Sequence, residues 1–258
     1  ESAGQAMGYR IVVLVRQVPD LNAARINHST GEIQFSGQMV INSFDDYAIE
    51  EALRLKEAHG GEVTVVTVGP AGARDAVVRA LAMGADNGVL LQVDQAHLLD
   101  AAALASLLTE AIKPLQPDIV ICGQMSDDFG AGEVGPAIAV SLGIPQVSSA
   151  TSVVADGSTL TILRDTEDGK QQVSVDTPVL IMAMTGLNAP RYPSLKGIMA
   201  ARKKPIDVIT PASVPVSRTT WSTPFVQERD TTGIILQDVP PAEAAQKLVA
   251  WLREQKLV

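Results

Sequence analysis

Short apolar runs alternate with segments of helical period through the first 145 residues, and this alternation constrains the chain more than any other feature. Tyr9 to Val15 is the first run, ended by Gln17, Val18, Pro19 and Asp20; Glu62 to Val68, Asn87 to Val93 and Asp118 to Cys122 follow. Unbroken runs of this length suit strands buried on both faces of a parallel sheet. Ser43, with Asp46 three residues on, resembles a capping box. Phe44, Ala48, Ala52 and Leu55, with Ile49 and Leu53, then share one helical face, while Glu50 and Arg54 brace the outer one. Further helices are expected from about Ala71 to Met83, Leu98 to Lys113 and Gly132 to Leu142. Strands alternating with helices imply right-handed crossovers and an α/β fold with a doubly wound, mostly parallel, Rossmann-like sheet.

Two segments depart from this rhythm. Arg25 to Gln38 is a polar excursion with a small hairpin expected around Ser29-Thr30-Gly31. After Pro145, Thr151 to Val154, Leu160 to Leu163 and Gln172 to Val175 are separated by Asp156-Gly157 and Asp168-Gly169. Both are hairpin signals, so an antiparallel insert over 150–184 is expected, closed by Val179 to Met184. Prolines at 205, 211, 215, 224, 240 and 241 then forbid long regular elements, which predicts an extended arm. The arm ends in a helix from Pro241 that places Ala244, Ala245, Leu248, Val249, Trp251 and Leu252 on one face. The expected organisation is an α/β domain over 1–204 and an arm with its terminal helix over 205–258.

Composition narrows the function classes. Twenty Lys and Arg stand against 29 Asp and Glu, a formal charge of −9, which argues against a nucleic-acid binder held by surplus cations. Aromatics are only 3%, so the core must be aliphatic. No apolar stretch reaches the roughly 18 residues that span a bilayer, and Glu1 to Gly8 lacks the character of a secretory signal. A cytoplasmic protein, or one of the mitochondrial matrix if eukaryotic, is expected, and residues before Met7 read as a possible remnant of expression. The single cysteine, Cys122, reads as a small core hydrophobe rather than a nucleophile, and a reducing compartment suits it. His28, His59 and His97 lack ligand spacing and read as surface residues.

In a doubly wound sheet, ligands bind beyond the carboxyl ends of the strands. Four points of the sequence fall there: Leu14 to Val18, Asn42 to Asp45, Val68-Gly69, and the loop Gly123-Gln124-Met125-Ser126-Asp127-Asp128-Phe129-Gly130-Ala131-Gly132-Glu133-Val134. That loop leaves a strand and opens a helix, so its backbone N–H groups can converge on an anion. A turn needed only for strand-to-helix packing is the other reading, because neither the Walker lysine motif nor GxGxxG is present. Asp127 and Asp128 could bind a ribose or a metal, or form a solvated pair. Arg202-Lys203-Lys204 could steer an acidic partner or be a solvated loop. No nucleophile and base pair stands out.

Several stretches together resemble one family. VVLVRQVPD (12–20), VINSFDDYAIEEALRLKE (40–57), residues 63–70, ALAMGAD (80–86), 118–136 and NAPRYPSLKGIMAARKKP (188–205) are similar, in order, to the β subunit of electron-transfer flavoprotein. The resemblance implies a heterodimer whose α subunit holds most of the FAD site, with the arm and terminal helix docking on that subunit. It implies a nucleotide at the strand ends, at Leu14, Asn42, Ser43, Phe44, Asp45, Val68 and 123–134: AMP in ordinary members, a second FAD in electron-bifurcating members that oxidise NADH. It also implies that Arg191-Tyr192-Pro193-Ser194-Leu195-Lys196-Gly197-Ile198-Met199 recognises acyl-CoA dehydrogenase-like flavoenzymes, with Leu195 as apolar anchor; a leucine folded into its own domain is the alternative. The expected role is an electron carrier, not itself an enzyme, that hands electrons to a quinone reductase or other acceptor. The family shows an acidic run and a glutamine in the nucleotide loop, whereas Phe129 and Gly130 replace acidic positions here and Glu133 stands for the glutamine. A carboxylate there would repel phosphate, which points to an altered or absent nucleotide in a specialised paralogue. An adenine-nucleotide-binding regulatory domain is a further reading, but it leaves 188–205 unexplained.

Overall fold

The computed structural model describes residues 8–27, 29–35, 37–220, 222, 225–226 and 233–258. The segment before Met7, His28 and Pro224 lie outside them.

β1 (Tyr9–Leu14) is central, paired in parallel with β6 (Gly61–Gly69) on one side and β8 (Ile119–Gly123) on the other. Its side chains alternate between two cores. Ile11 and Val13 face one helix layer, and Val12 and Leu14 the opposite one. This two-sided burial is why the strand reads as a continuous apolar run. The first layer is α1 (Ser43–His59) and α2 (Arg74–Met83), with α5 (Leu195–Ala201) packed on α2. The second is α3 (Ala101–Ile112) and α4 (Val134–Leu142).

The main sheet has nine strands in the order β11-β10-β9-β12-β8-β1-β6-β7-β13. β7 (Asn87–Gln92), β12 (Val179–Ala183) and the first part of β9 (Gln146–Asp156) add parallel pairs. β10 (Thr159–Thr166) and β11 (Gly169–Asp176) add antiparallel ones. Both hairpin signals hold, with Gly157 at φ +58° and Gly169 at φ +121°. The expected insert belongs to the α/β domain: its strands are longer than the apolar runs suggest and extend the main sheet. The small hairpin is also present, β3 (Arg25–Ile26) against β4 (Ile33–Gln34), and β2 (Gln17–Pro19) pairs with β5 (Met39–Ile41).

Three expectations need correction. The helix from Leu98 is broken: a 3₁₀ turn (Ala96–Leu98) ends before Asp100, whose carboxylate accepts the Ala103 N–H at 2.8 Å and caps α3. The boundary at 204 cuts through the sheet, because β13 (Ile206–Ile209) pairs with β7 at its edge. An edge strand tolerates the preceding Pro205, so the proline signal hid it. Ser43 makes no capping box, since it is the first residue of α1 behind Asn42. Beyond β13 the arm is largely irregular, and α6 (Pro241–Glu254) has no buried residue.

Candidate functional site

From β1 the chain moves to β6 and β7 on one side, then returns to β8 on the other. The ends of β1 and β8 therefore flank the topological switch point, where a doubly wound sheet opens a crevice. Asp45, in the first turn of α1, joins the walls of that crevice. It is buried, and it accepts the Arg16 N–H at 2.7 Å, the Gly123 N–H at 3.1 Å and the Asn42 amide at 3.0 Å. Burial pushes its carboxyl up to about 7, against the pull of the Asn42, Arg16 and Gly123 donors. Gly123 is required here, since a Cβ would lie 2.4 Å from Asp45 Oδ1 and 2.7 Å from the Cβ of half-buried Phe44.

Asn42, just before α1, and Ser43, its first residue, hold the 124–133 loop. Asn42 donates to the Met125 carbonyl at 2.9 Å and accepts the Asp127 N–H at 2.8 Å. Asp127 in turn takes the Ser43 N–H at 2.7 Å and its hydroxyl at 2.8 Å, capping α1 from across the crevice. Asp128 pairs with Arg16 at 2.7 Å, and the Arg16 guanidinium lies 5.2 Å from the centre of the Phe129 ring. The solvated acidic pair is thus a correction: both carboxylates are committed to named partners. Gln124 Oε1 accepts the Ser149 N–H at 2.6 Å, and Ser126, Gly130 and Ala131 close a tight turn among themselves. Leu14 and Val68 send their side chains into the core beneath α3 and α4. Arg16 falls within the Leu14 to Val18 stretch expected at the crevice, but its partners are not legible in the sequence, whose signal for it is a cation directly after a buried strand.

At the far wall, the N–H groups of Gly132, Val134 and Gly135 meet no acceptor among the described residues. They are the free donors of a helix start, suited to an anion. Asp128 Oδ1 is a buried acceptor with no donor among the described residues. The N–H groups suit a phosphate, and the carboxylate oxygen suits a hydroxyl or amine. Exposed Glu133 stands at the mouth of this set.

A second face lies over the outer side of α1 and α2. Tyr192 is 89% exposed, Leu195 83% and Met199 71%, with Ile198 and Lys196 also exposed, so Leu195 is not folded into its own domain. Ser194 caps α5 by accepting the Gly197 N–H at 3.0 Å, and Pro193 is half-buried. Arg191 does not belong to this exposed set: it turns onto Glu50 and Glu57 of α1. Glu50 consequently is no outer-face residue but a buried acid, paired with Arg54 and Arg191. Burial would raise its carboxyl, yet the two guanidiniums hold it below its usual range. The basic run divides too. Lys204 donates to the Leu81 carbonyl at 3.0 Å and to that of Ala85, closing the end of α2, while Arg202 and Lys203 are exposed.

His97 is exposed and His59 half-buried against Tyr9. Cys122 is buried, and burial with the nearby Asp45 charge pushes its thiol up, which keeps it from acting as a thiolate. Among the described residues no acid, histidine or cysteine group could hold a metal, and no helix is long and apolar enough to cross a membrane.

The profile of the electron transfer flavoprotein domain matches residues 30–214. The electron transfer flavoprotein subunit beta of Thermoanaerobacterium thermosaccharolyticum is 44% identical over 211 residues, 81% of each chain. Proteins of the same name from Clostridium acetobutylicum and Bacillus subtilis are 39% and 36% identical, each across 96% of this chain and 99% of the relative. With a crevice at the switch point and a braced loop carrying an exposed leucine, the chain belongs to the electron transfer flavoprotein β-subunit family.

Proposed function

We propose that the chain pairs with an FAD-carrying α subunit as the β half of an electron carrier, moving electrons between acyl-CoA dehydrogenase-like flavoenzymes and an acceptor such as a quinone reductase. The observation that carries this reading is the Leu195 face: a row of exposed apolar side chains on a loop and the short helix α5, tied to α1 through Arg191 and packed on α2. A small apolar anchor on a rigid support fits a contact that must form and release quickly. The open face of α6, with Leu248, Val249 and Trp251 exposed, suits docking on the α subunit. Flavin, when bound, supplies the electron carriage itself. This chain's residues position partners and hold a nucleotide.

For that nucleotide we propose AMP, its phosphate on the N–H groups of Gly132, Val134 and Gly135. Asp45, Asn42 and Asp127 would keep the crevice walls in register. No observation favours a second, NADH-oxidising flavin. Glu133 leaves the donors intact because its side chain is exposed, so its repulsion is moderated by water. Glu133→Gln is expected to tighten AMP binding roughly fivefold in titration calorimetry of the heterodimer. Equal affinities would sink the repulsion argument.

Leu195→Ala tests the carrier reading. Electron delivery from an acyl-CoA dehydrogenase should slow by about thirtyfold, as for a buried interface anchor, with the heterodimer intact on gel filtration. A dissociated heterodimer, or an unchanged rate, would refute the docking role.

A further inference from the structure

We propose that Arg191 is a positioning residue for the docking loop, a latch that fixes Leu195 relative to α1 without itself touching the partner. The proposal rests on the docking reading of Leu195. Arg191 Nε donates to Glu50 Oε2 at 2.8 Å, Nη2 to Glu50 Oε1 at 3.1 Å and to Glu57 Oε2 at 3.0 Å, and Nη1 to Glu57 Oε1. A guanidinium has five N–H donors, so these bonds leave a single one for anything else. The Arg191 backbone N–H also donates to Glu50 Oε2, at 3.1 Å. Main chain and side chain are therefore held by one carboxylate.

That carboxylate is a firm base. The Glu50 side chain is only 4% exposed, and Arg54 pairs with it at 3.0 Å from the next turn of the same helix. Glu57 lies two turns further along α1, so the planar fork of Arg191 spans two carboxylates at once, a geometry that a lysine cannot copy. Three residues earlier, Asn188 makes a second tie, donating to the Tyr47 carbonyl and to Glu51 Oε2, both at 3.0 Å. Leu195 follows four residues after the latch, at the start of α5. Each tie removes freedom that a loose loop would lose on docking, so the latch favours affinity and leaves the electron step alone.

The test uses the FAD-loaded heterodimer with an acyl-CoA dehydrogenase as partner. Arg191→Lys keeps the charge and a folded chain, and it should raise the KM for the carrier roughly fivefold while kcat stays within about twofold. Hydrogen exchange over 192–199 should speed up, with no change in β1 or β8. In a Leu195→Ala background the same substitution should add less than about twofold, because the latch acts through Leu195. If Leu195→Ala raises KM but Arg191→Lys leaves it unchanged, or multiplies it fully in the double variant, the latch is overturned and the docking face stands. If Leu195→Ala itself has no effect, the docking reading falls and the latch with it.

Discussion

Asp45→Asn gains stability relative to the parent chain as pH rises from about 4 to about 8, by up to roughly 4 kcal/mol. The carboxyl sits at about 7 in the fold against an ordinary 3.8, with burial as the main cause. A carboxyl raised on folding holds its proton more tightly in the native state. Its contribution is therefore fully present below about 3.8 and is lost as pH climbs through 7, where a buried carboxylate must ionise. The span of about three pH units, at about 1.36 kcal/mol each, sets the size. Asparagine has no such slope. It also turns an amide toward one of three facing donors, the N–H groups of Arg16, Gly123 and the Asn42 side chain, so the crevice walls should part and affinity for the proposed AMP should fall. The comparison is urea unfolding of both heterodimers at several pH values. Other carboxyls titrate in both proteins and cancel in the difference. Parallel curves would show that Asp45 does not carry this burial penalty.

The parts of this molecule that the sequence made legible are those set by near neighbours. Alternating burial along β1 and β8 writes itself as apolar runs, and Gly157 and Gly169 mark turns that need positive φ. The chain positions of the crevice follow from topology alone. The partners within it do not. Asp127 caps a helix that begins 84 residues earlier, and Asp128 pairs with Arg16 across 112. No local pattern distinguishes such carboxylates from a solvated pair. β13 was lost because proline signals an irregular segment, although an edge strand needs ladder bonds on one side only. Glu50 illustrates the same limit. Its helical neighbour Arg54 was legible at i+4, whereas Arg191, which sequesters its other face, stands 141 residues away.

Gly197→Ala should move α5, which carries the proposed docking face, and lower the thermal midpoint by roughly 4–8 °C, the equivalent of about 2 kcal/mol in a chain of this size. Gly197 lies where α5 crosses α2, and a Cβ there would come within 2.2 Å of the Ala82 carbonyl oxygen. Ser194 Oγ, at 3.3 Å, could give way; the carbonyl could not, because it belongs to the backbone of α2. Alanine favours a helix by roughly 1 kcal/mol over glycine, so propensity alone predicts the opposite sign. Steric overlap of this depth outweighs it. α5 must lift from α2, taking Leu195 and Met199 with it and straining the Lys204 bonds to the carbonyls of Leu81 and Ala85. The expected signature is a lower midpoint together with weakened dehydrogenase docking, whereas Leu195→Ala weakens docking at an unchanged midpoint. A Gly197→Ala protein as stable as its parent, or more so, would mean that α5 rides freely on α2 and that the face around Leu195 is not held by packing.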